Sequence, residues 1–124
     1  MIPILLIHGG AGSKSARGSR QELFRQSLEK ILNEGYAKLA KGSALDAVVC
    51  AVQALENDPL YNAGFGSRIQ RDGVIRMSAS LMDGARGKFS GCINVRRIKN
   101  PILLAKALLR EKDRVLAETG AEDY

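Results

Sequence analysis

Asp72-Gly-Val-Ile-Arg-Met-Ser-Ala-Ser-Leu81 is the stretch on which the fold class turns. Asp-Gly is a two-residue hairpin pair, because both positions tolerate the positive φ such a turn requires. It predicts two extended segments, residues 68–71 and 74–81. A second turn at Asp83-Gly84 leads through Gly87 to a further strand over residues 89–98. The middle of the chain is therefore an antiparallel meander. Toward the C-terminus, Asn100-Pro101 opens a helix, since Asn can cap and Pro suits the first helical position. Ile102, Leu103, Ala105, Leu108 and Leu109 give that helix its buried stripe, and Val115-Leu-Ala117 reads as one more short strand.

Toward the N-terminus, Phe24, Leu28, Ile31, Leu32, Tyr36 and Leu39 recur at three- and four-residue steps, predicting an amphipathic helix over residues 20–41 that Gly42 ends. Ser43 and Asp46 resemble a capping box for a second helix carrying Leu45, Val48, Val49, Val52 and Leu55, apolar around most of its circumference and so expected to be buried. Asn57-Asp58-Pro59 stops it. Residues 1–8 form a continuous apolar run halted by Gly9-Gly10 and read as a buried strand, whereas the Gly-, Ser- and Lys-rich residues 12–19 read as a loop. The order is strand, two helices, meander, helix, strand. Strictly alternating βαβ folds do not produce it, and an α+β arrangement of sheet and helices does.

The 124 residues suffice for one ordinary domain or part of a larger one, and 45% hydrophobic with 26% charged residues is the profile of a chain that can bury a core. Two independent domains, collagen, coiled coil and disulfide miniprotein are excluded. The apolar runs at residues 4–7 and 47–52 fall far short of the roughly 18 residues of a membrane helix. No basic segment precedes the N-terminal apolar run, so a cytoplasmic protein without membrane contact is expected. A net charge of +6 raises the question of nucleic acid. The basic residues are spread along the chain without interleaved aromatics, so solvated faces, or an acidic partner segment, explain them better. Cys50 and Cys92 sit in apolar patterns and read as buried free thiols.

Two segments carry candidate chemistry. His8-Gly-Gly-Ala-Gly-Ser-Lys-Ser15 follows a strand, but Ser13 stands before Lys14 where a P-loop needs Gly, and the dinucleotide glycine spacing also fails. On spacing alone a structural turn outranks a phosphate site. His8, the sole histidine, is a poor metal site by itself and the only possible base for a serine triad, and a structural role outranks both. Residues 57–67 hold Pro59, Gly64 and Gly66 so close together that the backbone course is dictated and several carbonyls are free to turn inward toward a hard cation. An ordinary helix-to-strand connection is the competing reading.

Five motifs in order, His8-Gly-Gly-Ala-Gly12, Ser43-Ala-Leu-Asp-Ala47, Asp58-Pro-Leu-Tyr-Asn-Ala-Gly-Phe-Gly-Ser67, Ser78-Ala-Ser-Leu-Met-Asp-Gly84 and Arg97-Ile-Lys-Asn-Pro-Ile102, resemble the plant-type asparaginase and isoaspartyl peptidase family. Thr119-Gly-Ala-Glu122 extends the likeness. The resemblance implies the N-terminal half of a four-layer αββα sandwich of the N-terminal nucleophile (Ntn) hydrolase class. It also implies a precursor that cleaves itself before a threonine, which then heads the β subunit as nucleophile and is absent here. On this reading the chain is an α subunit without a catalytic residue of its own. Its partners are the β subunit of the same precursor, in an (αβ)2 assembly, and a small amino-acid or dipeptide substrate.

The resemblance further implies that Asn62 sits beside the nucleophile and that His8, Gly9, Gly10 and Gly12 form a loop near the active site that influences self-cleavage. Main-chain carbonyls of Leu55, Glu56, Asp58, Tyr61, Ala63 and Phe65 correspond to a structural sodium site, with no other cofactor. One departure stands out. Where the family usually reads Glu-Met-Asp-Ala-Ser, this chain reads Arg76-Met-Ser-Ala-Ser80, with consequences for substrate range or maturation rate. A catalytically silent homologue or assembly fragment, and a phosphate-binding kinase-like domain, are the rival readings.

Overall fold

The computed structural model describes residues 2–11 and 18–124. These form two compact units, Met1–Leu55 and Glu56–Tyr124.

The first unit holds helix α1 (Ser19–Lys41) and most of helix α2 (Ala44–Asn57). Along α1, Arg25 reaches Glu22 at 2.6 Å and Glu29 at 3.0 Å. The guanidinium of Arg25, with help from Gln26, pulls the Glu22 carboxyl down to about 2. These pairs are open to solvent, where screening and side-chain entropy leave them little net effect on stability. Gly35 lies within α1. A Cβ there would lie 2.8 Å from Leu5 Cδ2 and 3.2 Å from Ala51 Cβ, so glycine lets α1 approach both α2 and the N-terminal segment. Tyr36, placed on the apolar stripe by periodicity, is 43% exposed.

Gly42 ends α1, and Ser43 starts α2: its Oγ accepts the Asp46 N–H at 3.1 Å and donates to Asp46 Oδ2 at 2.8 Å. The Ser43 hydroxyl thus takes part in both bonds of the box. In α2, Ala47, Val49 and Ala51 are buried, whereas Val48 is 40% exposed, so the helix is less enclosed than its composition predicts.

The expected buried strand over residues 1–8 is not formed among the described residues. A strand must exchange hydrogen bonds with a neighbour, and this segment takes part in no ladder among the described residues. Its side chains still alternate. Leu5 and Ile7 are half-buried, while Ile2, Ile4 and Leu6 are 83%, 86% and 90% exposed.

The second unit is built on a three-stranded sheet in the order β1 (Met77–Asp83), β2 (Lys88–Val95), β3 (Val115–Ala117). The hairpin ladder joins β1 to β2, not the segments around Asp72-Gly73. There, Gln70 and Val74 exchange a single backbone bond at 3.0 Å, and residues 68–71 do not become a strand. The β1–β2 turn is made by Asp83, whose Oδ1 accepts the Ala85 and Arg86 N–H groups, and by Gly87 at φ 59°. Arg86 closes onto Asp83 Oδ2 at 2.8 Å and holds that carboxyl below the usual range.

β2 ends at Val95, short of Ile98, and carries a bulge: Met77 pairs Val95 but Ala79 pairs Cys92, so β2 has one residue more than β1. Asn94 takes the left-handed conformation at φ 58°, which Asn tolerates better than most residues, and its N–H donates to Ser78 Oγ at 3.2 Å. The extra residue keeps Val95 on the same face as Cys92, and both are fully buried with Ala121 beneath.

Helix α3 (Pro101–Leu108) crosses between β2 and β3, which therefore run parallel. It covers the inner face of the sheet: Ser90 Oγ donates to the Ala105 carbonyl at 2.5 Å, and Cys92 Sγ to that of Pro101 at 3.6 Å. Ile102, Ala105, Leu108 and Leu109 are buried, but Leu103 is 41% exposed. A short helix α4 (Glu118–Glu122) follows β3, with Glu122 Oε1 accepting the Arg96 N–H at 2.6 Å. The outer face of the sheet carries Met82, Phe89, Ile93 and Val115, each about half exposed or more.

Candidate active-site loop

Residues 58–67 leave the end of α2 and fold back on it. Asp58 Oδ1 accepts the Leu60 N–H at 2.9 Å, and the Asp58 carbonyl accepts the Tyr61 N–H at 3.3 Å, a side-chain turn nested in a backbone turn. Tyr61 is buried. The 3₁₀ turn Gly64–Gly66 comes next, with Gly66 N–H donating to Ala63 and Ser67 N–H to Gly64. Asn62 Oδ1 accepts the Arg68 N–H at 2.9 Å. An amide nitrogen cannot accept that bond, so the orientation of the carboxamide is fixed: oxygen toward the loop backbone, and Nδ2 with its two donors as the group left to offer.

The glycines set how closely the loop packs. Gly64 has φ +51°, and a Cβ there would stand 2.2 Å from the Glu56 carbonyl oxygen. A Cβ on Gly66 would stand 2.2 Å from the Tyr61 oxygen and 2.8 Å from that of Pro59. The Glu56 oxygen thus packs against Gly64 and the Tyr61 and Pro59 oxygens against Gly66, near the C-terminus of α2, whose last carbonyls have no intrahelical partner and carry partial negative charge. That is suitable chemistry for a hard cation. Among the described residues, no three His, Cys, Asp or Glu side chains gather to hold a metal. Phe65 is 76% exposed, and Leu55 lies in the last turn of α2.

Sequence reasoning missed the side chain of Glu56. It is 4% exposed, and its Oε1 accepts the Ile102 N–H at 3.0 Å across 46 residues of chain. Burial pushes its pKa up, opposed by the Ile102 N–H and the Asn100 side chain. Oε2 is buried without a partner among the described residues. Asn100, expected to cap α3 with its own side chain, instead donates from Nδ2 to Asn57 Oδ1 at 3.1 Å. A signal was present: an acid in the last turn of a helix opposes the helix dipole and needs some other reason to be there.

His8, Gly9 and Gly10 belong to the first unit. His8 is exposed and Gly10 has φ +104°. Gly12, with Ser13, Lys14 and Ser15, lies outside the described residues. The two departures are absorbed locally: Arg76 meets Asp72 Oδ2 and Gln70 Oε1, each at 2.8 Å, and Ser78 serves the bulge. Cys50 and Cys92 are free thiols, Cys92 buried and Cys50 half-buried, and burial raises the Cys92 pKa away from reactivity.

A family model described as asparaginase matches residues 1–124. The chain belongs to that family. It is 54% identical over 124 residues to an isoaspartyl peptidase/L-asparaginase of Synechocystis, covering 99% of this chain and 37% of the relative. To one of Nostoc it is 52% identical over 122 residues, covering 98% and 38%. A plant-type L-asparaginase of Pyrobaculum calidifontis is 37% identical over 118 residues, covering 94% and 40%. The chain thus spans less than half the length of these asparaginase-family relatives. No described helix is long and apolar enough to cross a membrane.

Proposed function

We propose that this chain is the α portion of a self-cleaving, threonine-nucleophile amidohydrolase that releases aspartate from L-asparagine and from β-aspartyl dipeptides. The observation that carries the proposal is the match of the whole chain to roughly the first two-fifths of an isoaspartyl peptidase/L-asparaginase. The β portion of the same precursor supplies the threonine. A free α-amine ordinarily titrates close to neutrality, and so it can take the hydroxyl proton without any histidine. Hydroxyl attack on the side-chain amide carbon expels ammonia or an amine, and water then cleaves the acyl ester to free aspartate.

Within this chain Asn62 is the group that meets the nucleophile. The Arg68 N–H fixes its carboxamide in advance, so its Nδ2 donors are oriented before substrate arrives. Beside it, sodium is held by the main-chain carbonyls of Leu55, Glu56, Asp58, Tyr61, Ala63 and Phe65. What supports that reading is the number of carbonyl oxygens held close within this short loop, those of Glu56 and Tyr61 among them. The ion supplies a fixed positive charge that braces the loop. By the family resemblance, the segment carrying His8, Gly9, Gly10 and Gly12 influences self-cleavage.

The β portion completes an αββα sandwich in an (αβ)2 assembly. The uncovered apolar residues Met82, Phe89, Ile93 and Val115 on the sheet, and Ile2, Ile4 and Leu6 near the N-terminus, are the surfaces it covers. The test is hydrolysis of L-asparagine and a β-aspartyl dipeptide by the full-length gene product, with and without Asn62→Ala. Aspartate release that falls roughly a hundredfold in the variant is expected, on the scale of one lost transition-state donor. Equal rates would remove Asn62 from the site.

A further inference from the structure

Glu56 stands where two structural junctions meet. Its backbone carbonyl is the surface on which Gly64 is seated, since a Cβ on Gly64 would stand 2.2 Å from that oxygen and 2.6 Å from Glu56 Cβ. Its side chain points the other way in sequence, to the first turn of α3, where Oε1 accepts the Ile102 N–H at 3.0 Å. Pro101 has no N–H, and Asn100 makes no side-chain cap, so Glu56 is the capping group for this turn. The adjacent Asn57 takes the Asn100 amide at 3.1 Å and reinforces the same junction. Residue 58, where the Asn62 loop begins, is only two positions further on.

We propose that the Glu56 carboxyl is a positioning group for the Asn62 loop, acting by capping α3 and thereby fixing the backbone on which Gly64 rests. The claim rests on the amidohydrolase reading for its effect on turnover, but its structural part stands apart from it. What the role requires is an acceptor at Oε1, at the full length of a glutamate. Charge is not required, nor is the second oxygen, which has no partner among the described residues.

Three variants of the full-length protein separate these requirements. Glu56→Gln keeps the acceptor and its reach, Glu56→Asp keeps the charge but withdraws the acceptor by one methylene, and Glu56→Leu keeps bulk alone. Hydrogen exchange over residues 58–67 reads positioning without turnover. It is expected to match wild type in the Gln variant and to accelerate in Asp and Leu. In steady-state kinetics kcat is expected to hold within about twofold for Gln and to fall roughly tenfold or more for Asp and Leu, with KM changed much less, because a misplaced Asn62 impairs the reacting geometry. If Leu fails to fold, the Gln and Asp pair still decides. Wild-type exchange and kcat in the Asp variant, or a Gln variant as impaired as Asp, would overturn the proposal. Absence of hydrolysis by the wild-type protein would count against the amidohydrolase reading alone, and the exchange result would still judge Glu56.

Discussion

A methyl group on Gly64 meets the Glu56 carbonyl oxygen at 2.2 Å, and one on Gly66 meets the Tyr61 oxygen at the same distance. Both are backbone atoms and cannot swing aside, and Gly64 also needs φ +51°. Gly64→Ala and Gly66→Ala are each expected to destabilise the full-length protein by about 2 kcal/mol or more, the range of an alanine forced where the backbone excludes it. Denaturant titration checks this, and an unchanged midpoint would mean that the loop is not packed on the end of α2. The importance of this loop was legible in the sequence, because Pro59, Gly64 and Gly66 dictate a path. The hydrogen bond from Arg68 that sets Asn62, and the burial of Glu56, were not legible. Each depends on a partner brought close by folding, and in the case of Glu56 the partner lies 46 residues away.

Elements were read well where a local rule decides and poorly where a neighbour decides. Ser43 and Asp46 mark the start of α2 by hydrogen bonds that span a single turn, and Gly42 directly follows the last residue of α1. The residues 1–8 run and the residues 68–71 segment have the composition of strands, but a ladder needs a neighbour in register, and composition cannot supply one. The bulge at Asn94 follows from a comparable accounting, since two buried residues three apart in β2 share a face only if one residue is inserted. At the β1–β2 turn, Arg86 depresses the Asp83 pKa, with further help from the backbone N–H groups of Arg86 and Ala85. A carboxyl whose folded pKa lies below its unfolded value stabilises above the unfolded pKa, and that contribution is lost as pH falls through the folded one. The stability difference between wild type and Asp83→Asn is therefore expected to be constant near neutrality and to narrow below about pH 4. Thermal unfolding at a series of pH values measures it, and a gap that widens toward acid would contradict the assigned pairing.

At the scale of the whole molecule, several large apolar side chains stand exposed among the described residues. Met82 is 66% exposed, Phe89 50%, Ile93 47% and Val115 50% on one sheet face, and Ile4 and Leu6 exceed 80%. Contiguous exposed apolar area of this kind marks a surface meant to be covered. Residues 1–124 expressed alone are expected to lack a sharp thermal transition and to bind a hydrophobic dye, whereas a cooperative transition would show that the sheet needs no cover. Length and a net charge of +6 left a missing partner segment open in the sequence, and the family resemblance pointed to it. On the proposed reading, a β portion is released from a common precursor with a threonine at its head. Intact-mass analysis with N-terminal sequencing of the full-length gene product, before and after incubation at neutral pH, tests it most directly. Two fragments are expected, the second beginning with threonine; a product that remains a single uncleaved chain would rule out self-cleavage and favour a catalytically silent homologue.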